Sequence, residues 1–328
     1  LSHSSAASDV YKRQFQSDSL EGTDQGMANI NLRGLNLSAT LVMINSVRNT
    51  VAGVPAESGD SYVDINIMPQ IAIEQLEILK EGATSLYGSD AVAGVVNFKT
   101  YKKYDGTKIK ITNQKTQHYG QTDRGLGLLH GSNLNKFDIV FGLELLNRSS
   151  LPSSEIAGIS ELGISIFGNT FIAKEAGTLA SSGDYSGATY DVGDKIRDPN
   201  CVANGGALYV GYCGFVYGDR FNVFNDEDHK KLYLNLEKSF VSYDLSTVFL
   251  LSQVDVNDNP QSPSYPALSF PEIGVGKAGS PFNKPVTWKG RPLGASSASP
   301  ESKKNIDQYH LSAKLNFYLN KDLSLIHI

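Results

Sequence analysis

Residues 73–100 read IEQLEILKEGATSLYGSDAVAGVVNFKT, and their pattern predicts a strand, a short helical turn and a second strand. Ile73–Lys80 alternates apolar and polar side chains with the period of a half-buried strand. Gly82 breaks this strand, and Ala83–Tyr87 is long enough for about one helical turn. Val95–Phe98 then predicts the second strand, so the segment belongs to an α+β domain.

Three sequence blocks resemble the plug domain of TonB-dependent outer-membrane receptors. Residues 77–88, EILKEGATSLYG, closely resemble the plug signature. Residues 31–35, NLRGL, with residues 40–45, TLVMIN, resemble the upstream part of the domain, and residues 63–69, VDINIMP, resemble the segment that leads into the signature. The blocks follow the order of the family over residues 26–106, which makes the resemblance specific. The signature is continued by Ala91, Gly94, Val95 and Asn97.

The resemblance implies an active transporter in the cell outer membrane of a Gram-negative bacterium, whose chemistry is binding and gating. It implies TonB and its inner-membrane motor complex as partners, with a small extracellular ligand and outer-membrane lipid. Arg33, Glu77 and Lys80 are candidates for charge pairs between plug and barrel wall, with solvated surface charges as the alternative. The residues to which a structural or gating role is carried over are Arg33, Gly34, Glu77, Lys80, Gly82, Tyr87, Gly88, Gly94 and Asn97.

Composition and charge exclude several other classes of protein. Of the 328 residues, 40% are hydrophobic and 19% are charged, which excludes a disordered chain and a bundle of apolar membrane helices. The formal net charge of −5 argues against nucleic acid as a partner. The sequence contains no GxSxG, HExxH or convincing Cys/His set, so we predict a non-enzyme without catalytic residues, cofactor or metal ion.

Beyond residue 106 the sequence changes to long alternating strands. The odd positions of Lys136–Leu145 and of Tyr309–Leu319 are apolar, and such strands have the ~9 to 11 residues needed to cross a bilayer at a tilt. Two very long connections, 147–229 and 254–306, alternate with short turns, which is typical of outer-membrane barrels. The predicted strands are 107–116, 122–132, 136–146, 230–239, 243–253 and 307–319.

The predicted fold class is an α+β plug domain followed by antiparallel transmembrane β-barrel strands of an incomplete barrel. Residues 15–106 are predicted to form the plug, and residues 107–328 the first part of the barrel, with extracellular loops at the two long connections. Residues 1–14 resemble a non-native tail, and because such transporters have about 22 strands, we expect a fragment. Further predicted plug strands are Ile30–Arg33, Thr40–Ile44 and Val63–Ile65.

The first long connection contains both cysteines, Cys201 and Cys213. They lie 12 positions apart without a CxxC motif or a neighbouring His, so a disulfide is favoured over two free thiols and over zinc. Asp226–His229 is predicted to be an exposed cap at a strand entry rather than a metal site. The candidate ligand-contacting aromatic residues, for which loop packing is the alternative, are Tyr209, Tyr212, Phe215, Tyr217, Phe221, Tyr265 and Trp288.

These observations predict a TonB-dependent outer-membrane receptor. It would bind a scarce extracellular ligand, such as a siderophore or a glycan, and import it by TonB-driven plug movement. Two alternatives remain. A passive outer-membrane channel or adhesin would lack a plug, and a soluble extracytoplasmic α+β enzyme would need a convergent catalytic set.

Overall fold

The structure is a computed structural model that describes most of the chain. The described residues are 15–16, 26–56, 58–80, 84–158, 163–258, 270–291, 302–320 and 323–327. Gly82, Tyr265 and the predicted tail 1–14 lie outside them. The chain divides into unit 1, with Leu1–Ser150, Phe224–Asn257 and Lys303–Ile328, and unit 2, with Leu151–Val223 and Asp258–Ser302. Among the described residues, no helix combines the length and the apolar character needed to span a membrane.

The N-terminal part of unit 1 is built around a four-stranded sheet. Its strands and those beside it are β1 (Phe15–Gln16), β2 (Ala28–Asn29), β3 (Thr40–Ile44), β4 (Val47–Arg48), β5 (Ile73–Leu79) and β6 (Gly94–Thr100). The helical pieces are α1 (Thr84–Tyr87) and the 3-10 turns Leu32–Gly34, Leu37–Ala39, Ile65–Ile67, Gln70–Ala72 and Ser89–Ala91. The sheet order is β4-β3-β6-β5, with β3 parallel to β6 and the other pairs antiparallel. Strand, short helix and strand therefore follow one another as predicted.

The two predicted plug strands 30–33 and 63–65 are wrong, because the structure has 3-10 turns at Leu32–Gly34 and Ile65–Ile67. Arg33 has a φ of 61°, in the left-handed region, which interrupts an extended strand. The carboxylate of Asp64 accepts a hydrogen bond at 3.0 Å from the backbone N–H of Asn66, which favours a turn over a strand.

The long strands after the plug form one seven-stranded sheet. Its strands are β7 (Gly106–Lys115), β8 (Thr122–Leu134), β9 (Phe137–Arg148), β19 (Asp226–Ser239), β20 (Tyr243–Asp258), β23 (Ser302–Asn320) and β24 (Leu323–His327). The strands outside this sheet are short: β10 (Leu151–Pro152), β11 (Ile164–Ser165), β12 (Thr170–Ala173), β13 (Gly177–Thr178), β14 (Thr189–Tyr190), β15 (Lys195–Arg197), β16 (Ala207–Tyr209), β17 (Tyr212–Val216), β18 (Asn222–Phe224), β21 (Glu272–Ile273) and β22 (Val286–Lys289). The sheet order is β7-β8-β9-β19-β20-β23-β24, and the pairs from β7 to β20 are antiparallel. All six predicted long strands are therefore present, and each begins and ends within five residues of its predicted bounds.

The two faces of this sheet carry different side chains. On one face Leu129, Val140, Tyr233 and Leu250 are buried in a core shared with the N-terminal part of unit 1. The other face carries the predicted apolar positions, and Ile111 there is 78% exposed. Because successive residues of a strand point to opposite faces, the alternation in the sequence becomes a difference between the two sides of the sheet.

Unit 2 consists of the two long connections and has a core of its own. Phe171, Leu179, Ile196 and Val286 are buried there on the sheet β15-β12-β22-β21. A second sheet, β11-β17-β16, lies next to the disulfide between Cys201 and Cys213. The predicted loops therefore contain short strands, which period-2 reading missed because they have only two to five residues. The 3-10 turns of this unit include Ser153–Glu155 and Gly218–Arg220.

Candidate functional site

The candidate site is the contact within unit 1 between residues 26–105, here called the plug segment, and one face of the seven-stranded sheet. That face, here called the wall, carries Leu129, Val140, Tyr233 and Leu250. From the plug segment, the core contains Ile71, Ala72, Val96 and Phe98 among others, so apolar burial joins the two parts. Burial alone has no directional preference, so the polar contacts decide where the plug segment is held.

Wall side chains bind the backbone at the end of the plug segment. The Tyr233 hydroxyl donates to the carbonyl oxygen of Tyr101 at 2.6 Å and lies 2.9 Å from Oγ1 of Thr100. The Asn235 amide donates to the carbonyl oxygen of Lys102 at 2.9 Å. These bonds fix the chain just before it enters β7.

The wall also carries a buried ion pair that faces the plug segment. Nζ of Lys231 lies 3.8 Å from Oε1 of Glu144, and Lys231 is 5% exposed. The other carboxylate oxygen of Glu144 accepts a hydrogen bond at 3.3 Å from the backbone N–H of Ile71. Glu144, whose side chain is 15% exposed, therefore has both a charged partner and a plug-segment donor, which offset the loss of most of its water.

Asp64 is a buried carboxylate that links the plug segment to β23. Its Oδ1 accepts from the backbone N–H groups of Ala28 at 2.8 Å and of Asn66 at 3.0 Å, and its Oδ2 accepts from Nε2 of Gln308. Burial raises the pKa of Asp64, and the hydrogen bonds together with the Lys231 charge oppose that rise. Sequence reasoning missed this role, and its only local signal is the Asp-x-Asn spacing of a turn.

Two of the charged signature residues, Arg33 and Glu77, have side-chain partners inside the plug segment. Glu77 accepts from the Asn97 amide at 2.7 Å and lies 3.6 Å from Nζ of Lys99. The Arg33 guanidinium donates to the carbonyl oxygen of Lys80 at 3.4 Å. The contacts of Arg33 and Glu77 thus differ from the predicted plug-to-wall pairs, because β5 pairs with β6 and places Glu77 opposite Asn97. A plug-to-wall pair of Lys80 stays a prediction.

Two other lysines make ion pairs with the wall. Nζ of Lys103 lies 2.7 Å from Asp138, and Nζ of Lys102 lies 3.9 Å from Glu237. The Lys103 side chain is 74% exposed, so this pair contributes little energy despite its short distance. The hydrogen bonds of the buried side chains are therefore the stronger polar contacts of the site.

The signature glycines allow close approaches and left-handed turns. Gly94 has a φ of +139°, and a Cβ there would lie 2.5 Å from the carbonyl oxygen of Leu79. Gly88 and Gly34 also have positive φ, at 82° and 67°. A Cβ on Gly88 would make ordinary contact with the Arg48 guanidinium at 3.9 Å, and one on Gly34 would have no described atom within 4 Å. Beside Gly88, the carbonyl of Tyr87 accepts a hydrogen bond from the Arg48 guanidinium.

The prediction that Asp226–His229 is an exposed cap is wrong for two of its four residues. Glu227 and His229 are 4% and 3% exposed, and Nε2 of His229 lies 2.8 Å from the Glu227 carboxylate. Arg148 pairs with Glu227 at 3.5 Å and with Asp123 at 3.2 Å. These residues face the wall side of β8, β9 and β19, where the register places Asp123, Arg148 and Glu227 in one row.

Unit 2 contains the aromatic residues proposed for ligand contact. Phe215 is only 2% exposed and lies under the Arg291 guanidinium, which is 4.0 Å from its ring centroid, so it packs the unit in this conformation. Tyr209 and Tyr212 stack at 5.3 Å on one hairpin, and Tyr217 is 38% exposed. Phe221 is half-buried, as is Trp288, whose indole N–H donates to the side-chain oxygen of Asn169.

A cavity of about 630 Å³ lies within unit 2. Its lining combines Asn169, Tyr185 and Asp198 with Glu272 and Lys277. Burial and the neighbouring Asp198 carboxylate raise the pKa of Tyr185, so its hydroxyl stays protonated and can donate hydrogen bonds at neutral pH. Of the described candidate aromatics, none lines this cavity, although Trp288 contacts its Asn169.

Comparisons with known proteins give one family match and several similar solved structures. Residues 5–95 match the family model described as TonB-dependent Receptor Plug Domain. The siderophore receptor PirA from Acinetobacter baumannii is 14% identical with a TM-score of 0.38, over 95% of this chain and 41% of that chain. The ferric enterobactin receptor PfeA from Pseudomonas aeruginosa is 13% identical with a TM-score of 0.37, over 94% of this chain and 43% of that chain. The chain therefore spans about two fifths of the length of these receptors.

Proposed function

Because residues 5–95 match the TonB-dependent receptor plug domain family, we propose that the chain is part of an outer-membrane receptor that imports a scarce extracellular ligand. The family match carries this proposal. A plug domain belongs to a transporter family rather than an enzyme family, so the proposed chemistry is binding and gating. The proposed location is the outer membrane of a Gram-negative bacterium.

The proposed domain division assigns residues 15–106 to the plug and residues 107–328 to the first part of the barrel. The seven-stranded sheet supports it, since its outer face carries apolar residues and its wall face packs on the plug segment. Strands of 10 to 19 residues are long enough to cross a bilayer at a tilt. The outer face is therefore the proposed contact with outer-membrane lipid.

The proposed ligand-binding part is unit 2, formed by the two long connections. Its cavity of about 630 Å³ has the size of a small-molecule site and presents amide, carboxylate, phenol and ammonium groups. Such groups suit a polar ligand with many oxygen atoms. Siderophores and glycans both fit this description, and they are the two ligand classes to compare.

The proposed driving partner is TonB with its inner-membrane motor complex. Import requires the plug to move relative to the wall, and the polar contacts at Tyr233, Asn235 and Glu144 are hydrogen bonds that water can replace once the contact opens. A plug held in this way is stable at rest and still releasable under force. A passive channel would require no such partner.

Uptake by the full-length receptor tests this function. The gene is deleted in its host and restored, and cells with and without TonB are given a panel of radiolabelled ferric siderophores and labelled oligosaccharides. We expect saturable uptake of one ligand class that disappears both with the gene deletion and without TonB. Uptake that persists without TonB would assign a passive channel instead, and absence of the protein from the outer-membrane fraction would reject both readings.

A further inference from the structure

Asp64 joins three parts of unit 1 that are far apart in the sequence. It accepts hydrogen bonds from the backbone N–H of Ala28, 36 positions away, and from that of Asn66 in the following turn. Gln308, 244 positions away on β23, donates to its second oxygen. Asp64 is 3% exposed, so water does not compete for these bonds while the contact is intact.

The N-terminal segment, residues 26–30, has its other contacts at the same place. The Asn66 amide donates to the carbonyl oxygen of Gly26 at 2.8 Å. A Cβ on Gly26 would lie 2.3 Å from a methyl carbon of Val256 on β20 and 3.1 Å from one of Ile306 on β23. The backbone of this segment is therefore packed directly against the wall at Gly26, and Asp64 binds it two residues later, at the N–H of Ala28.

A polar cavity of about 420 Å³ lies beside this contact. It is lined by residues 49–54 of the plug segment, residues 305–310 of β23 and Asp64 itself. The side-chain nitrogens Nδ2 of Asn49 and Nε2 of His310 are buried without a hydrogen-bond partner among the described residues. Such a cavity suits water, and separating Asp64 from Gln308 would widen it along β23.

We propose that the contact between Asp64 and Gln308 is a latch that holds the N-terminal segment and the turn Ile65–Ile67 against β23. A pull on residues 26–30 reaches Asp64 through the Ala28 N–H and passes into the wall through Gln308. The latch therefore opens before this part of the plug segment moves. Its opening connects the cavity to solvent. This inference rests on the proposed function, because it assigns the place where plug movement begins.

The rest of the plug segment is held differently. Tyr233 and Asn235 bind the carbonyls of Tyr101 and Lys102, which are next to β7 and stay attached to it through the chain. The parallel pairing of β3 with β6 is an extended ladder with a buried core. Isolated side-chain hydrogen bonds hold the turn Ile65–Ile67 to the wall, from Gln308 to Asp64 and from the Ser252 hydroxyl on β20 to the carbonyl oxygen of Asn66 at 3.2 Å. The latch is therefore the weaker link, and it lies on the N-terminal side.

Amide hydrogen exchange of the full-length receptor, without ligand and without TonB, tests the latch. In Gln308→Ala, we expect peptides covering residues 26–30 and 62–67 to exchange about tenfold faster than in the wild type, the effect of losing one hydrogen bond to a charged group. Peptides covering residues 94–100 should be unchanged. The matched control is Asp307→Ala, which alters the neighbouring exposed residue of the same strand.

Two substitutions of Asp64 separate the latch from a general loss of stability. Asp64→Asn keeps an oxygen for the two N–H groups and an amide that can bond a reoriented Gln308, so exchange should stay near the wild-type rate. Asp64→Ala should match or exceed the effect of Gln308→Ala. Unchanged exchange at residues 26–30 in Gln308→Ala, or an equal rise at residues 94–100, overturns the latch. Because this readout uses neither ligand nor TonB, a failure of the uptake experiment does not affect it.

Discussion

At the scale of single residues, burial gives Asp64 and Gly94 their importance. Asp64 has a carboxylate with almost no access to water, and three hydrogen bonds replace its hydration. Gly94 provides a backbone that no other residue can adopt without strain. For each residue, the direction in which one substitution changes the free energy of unfolding can therefore be predicted.

Asp64→Asn should change how stability depends on pH. Because the pKa of Asp64 is raised in the folded state, its contribution to folding is fully present below the unfolded pKa of about 3.9 and is lost as pH rises through the folded pKa. The variant has no charge to bury, so its unfolding free energy relative to the wild type should increase from acid to neutral pH. Lys231 is the opposing charge, and it reduces the increase without reversing its sign.

Thermal unfolding of both proteins at several pH values between about 4 and 7.5 checks this prediction, because that range covers the titration of a raised carboxyl group. The control is Asp105→Asn, which removes a carboxylate from an exposed position. A difference between variant and wild type that does not change with pH would contradict the expectation, as would the same slope in the control.

Gly94→Ala should destabilise the plug segment by at least about 2 kcal/mol, because Ala at this φ is strained. Its Cβ would also lie 2.5 Å from the carbonyl oxygen of Leu79 and 3.0 Å from Leu32. Gly53→Ala is the control, since a Cβ there meets no described atom within 4 Å. Pulse proteolysis in urea, followed by identification of cleavage near β6, measures both variants. Equal stability of the two would refute the structural role of Gly94.

At the scale of elements, the short strands of unit 2 depend on a covalent link. The disulfide between Cys201 and Cys213 closes a loop at the hairpin β16–β17. Thr170 on β12 binds the same hairpin, since its hydroxyl lies 2.8 Å from the carbonyl oxygen of Cys213 and 2.9 Å from its N–H. Strands of three to five residues are too short to be stable alone, so the link and these bonds keep the hairpin in place.

Replacing both cysteines with serine should destabilise unit 2 by about 3 kcal/mol, the chain-entropy value for a loop of this length. Limited proteolysis should then cut between residues 198 and 217 much faster than in the oxidised wild type. Reduction of the wild type with dithiothreitol should reproduce the effect, whereas the double variant should not respond to the reductant. Unchanged cleavage in the variant would show that the hydrogen bonds to Thr170 suffice.

At the scale of the whole molecule, the seven-stranded sheet gives unit 1 one face for the plug segment and another for lipid. The wall face carries buried ion pairs and hydrogen bonds at Glu144, Lys231 and Tyr233. The outer face carries leucines and phenylalanines in the middle of the strands. Near the ends of β9, β19 and β20, the same face becomes polar, with Asn147 bonded to Asp228 at 2.9 Å and Asp255 paired with Lys230 at 3.9 Å.

Leu234→Arg tests whether lipid covers the outer face. Leu234 lies in the middle of β19, and a charge at the centre of a bilayer costs about 2–4 kcal/mol in a barrel strand. We expect less folded receptor in the outer membrane, measured by heat-modifiable migration of the membrane fraction. Asp228→Arg, on the same face but near the end of the strand, is the control and should assemble normally. Equal assembly of the two variants would contradict a lipid-facing surface.

Local sequence patterns were sufficient to predict the strand, turn and strand of residues 73–100 and the long strands, whereas the plug domain was predicted from a resemblance to a known family. The spacing of glycines and apolar residues in 73–100 defines strand, turn and strand, and alternation over ten or more residues defines β7 to β9, β19, β20 and β23. These features depend on neighbours along the chain, whose periodicity does not change when distant parts are rearranged. The turns at 32–34 and 65–67 were missed because one side-chain hydrogen bond or one left-handed residue outweighs a short apolar pattern.

Tertiary structure alone decided which polar side chains meet. Glu77 pairs with Asn97 and Lys99 because β5 is the neighbour of β6, and Glu227 is buried because the register of β9 and β19 brings Arg148 opposite it. Asp64 and Gln308 meet across 244 positions, a distance over which no spacing rule applies. The sequence therefore determined which strands and turns form. Strand order, register and burial determined which charged and polar side chains contact each other, because the energy of such a contact depends on the distance between the two groups in space.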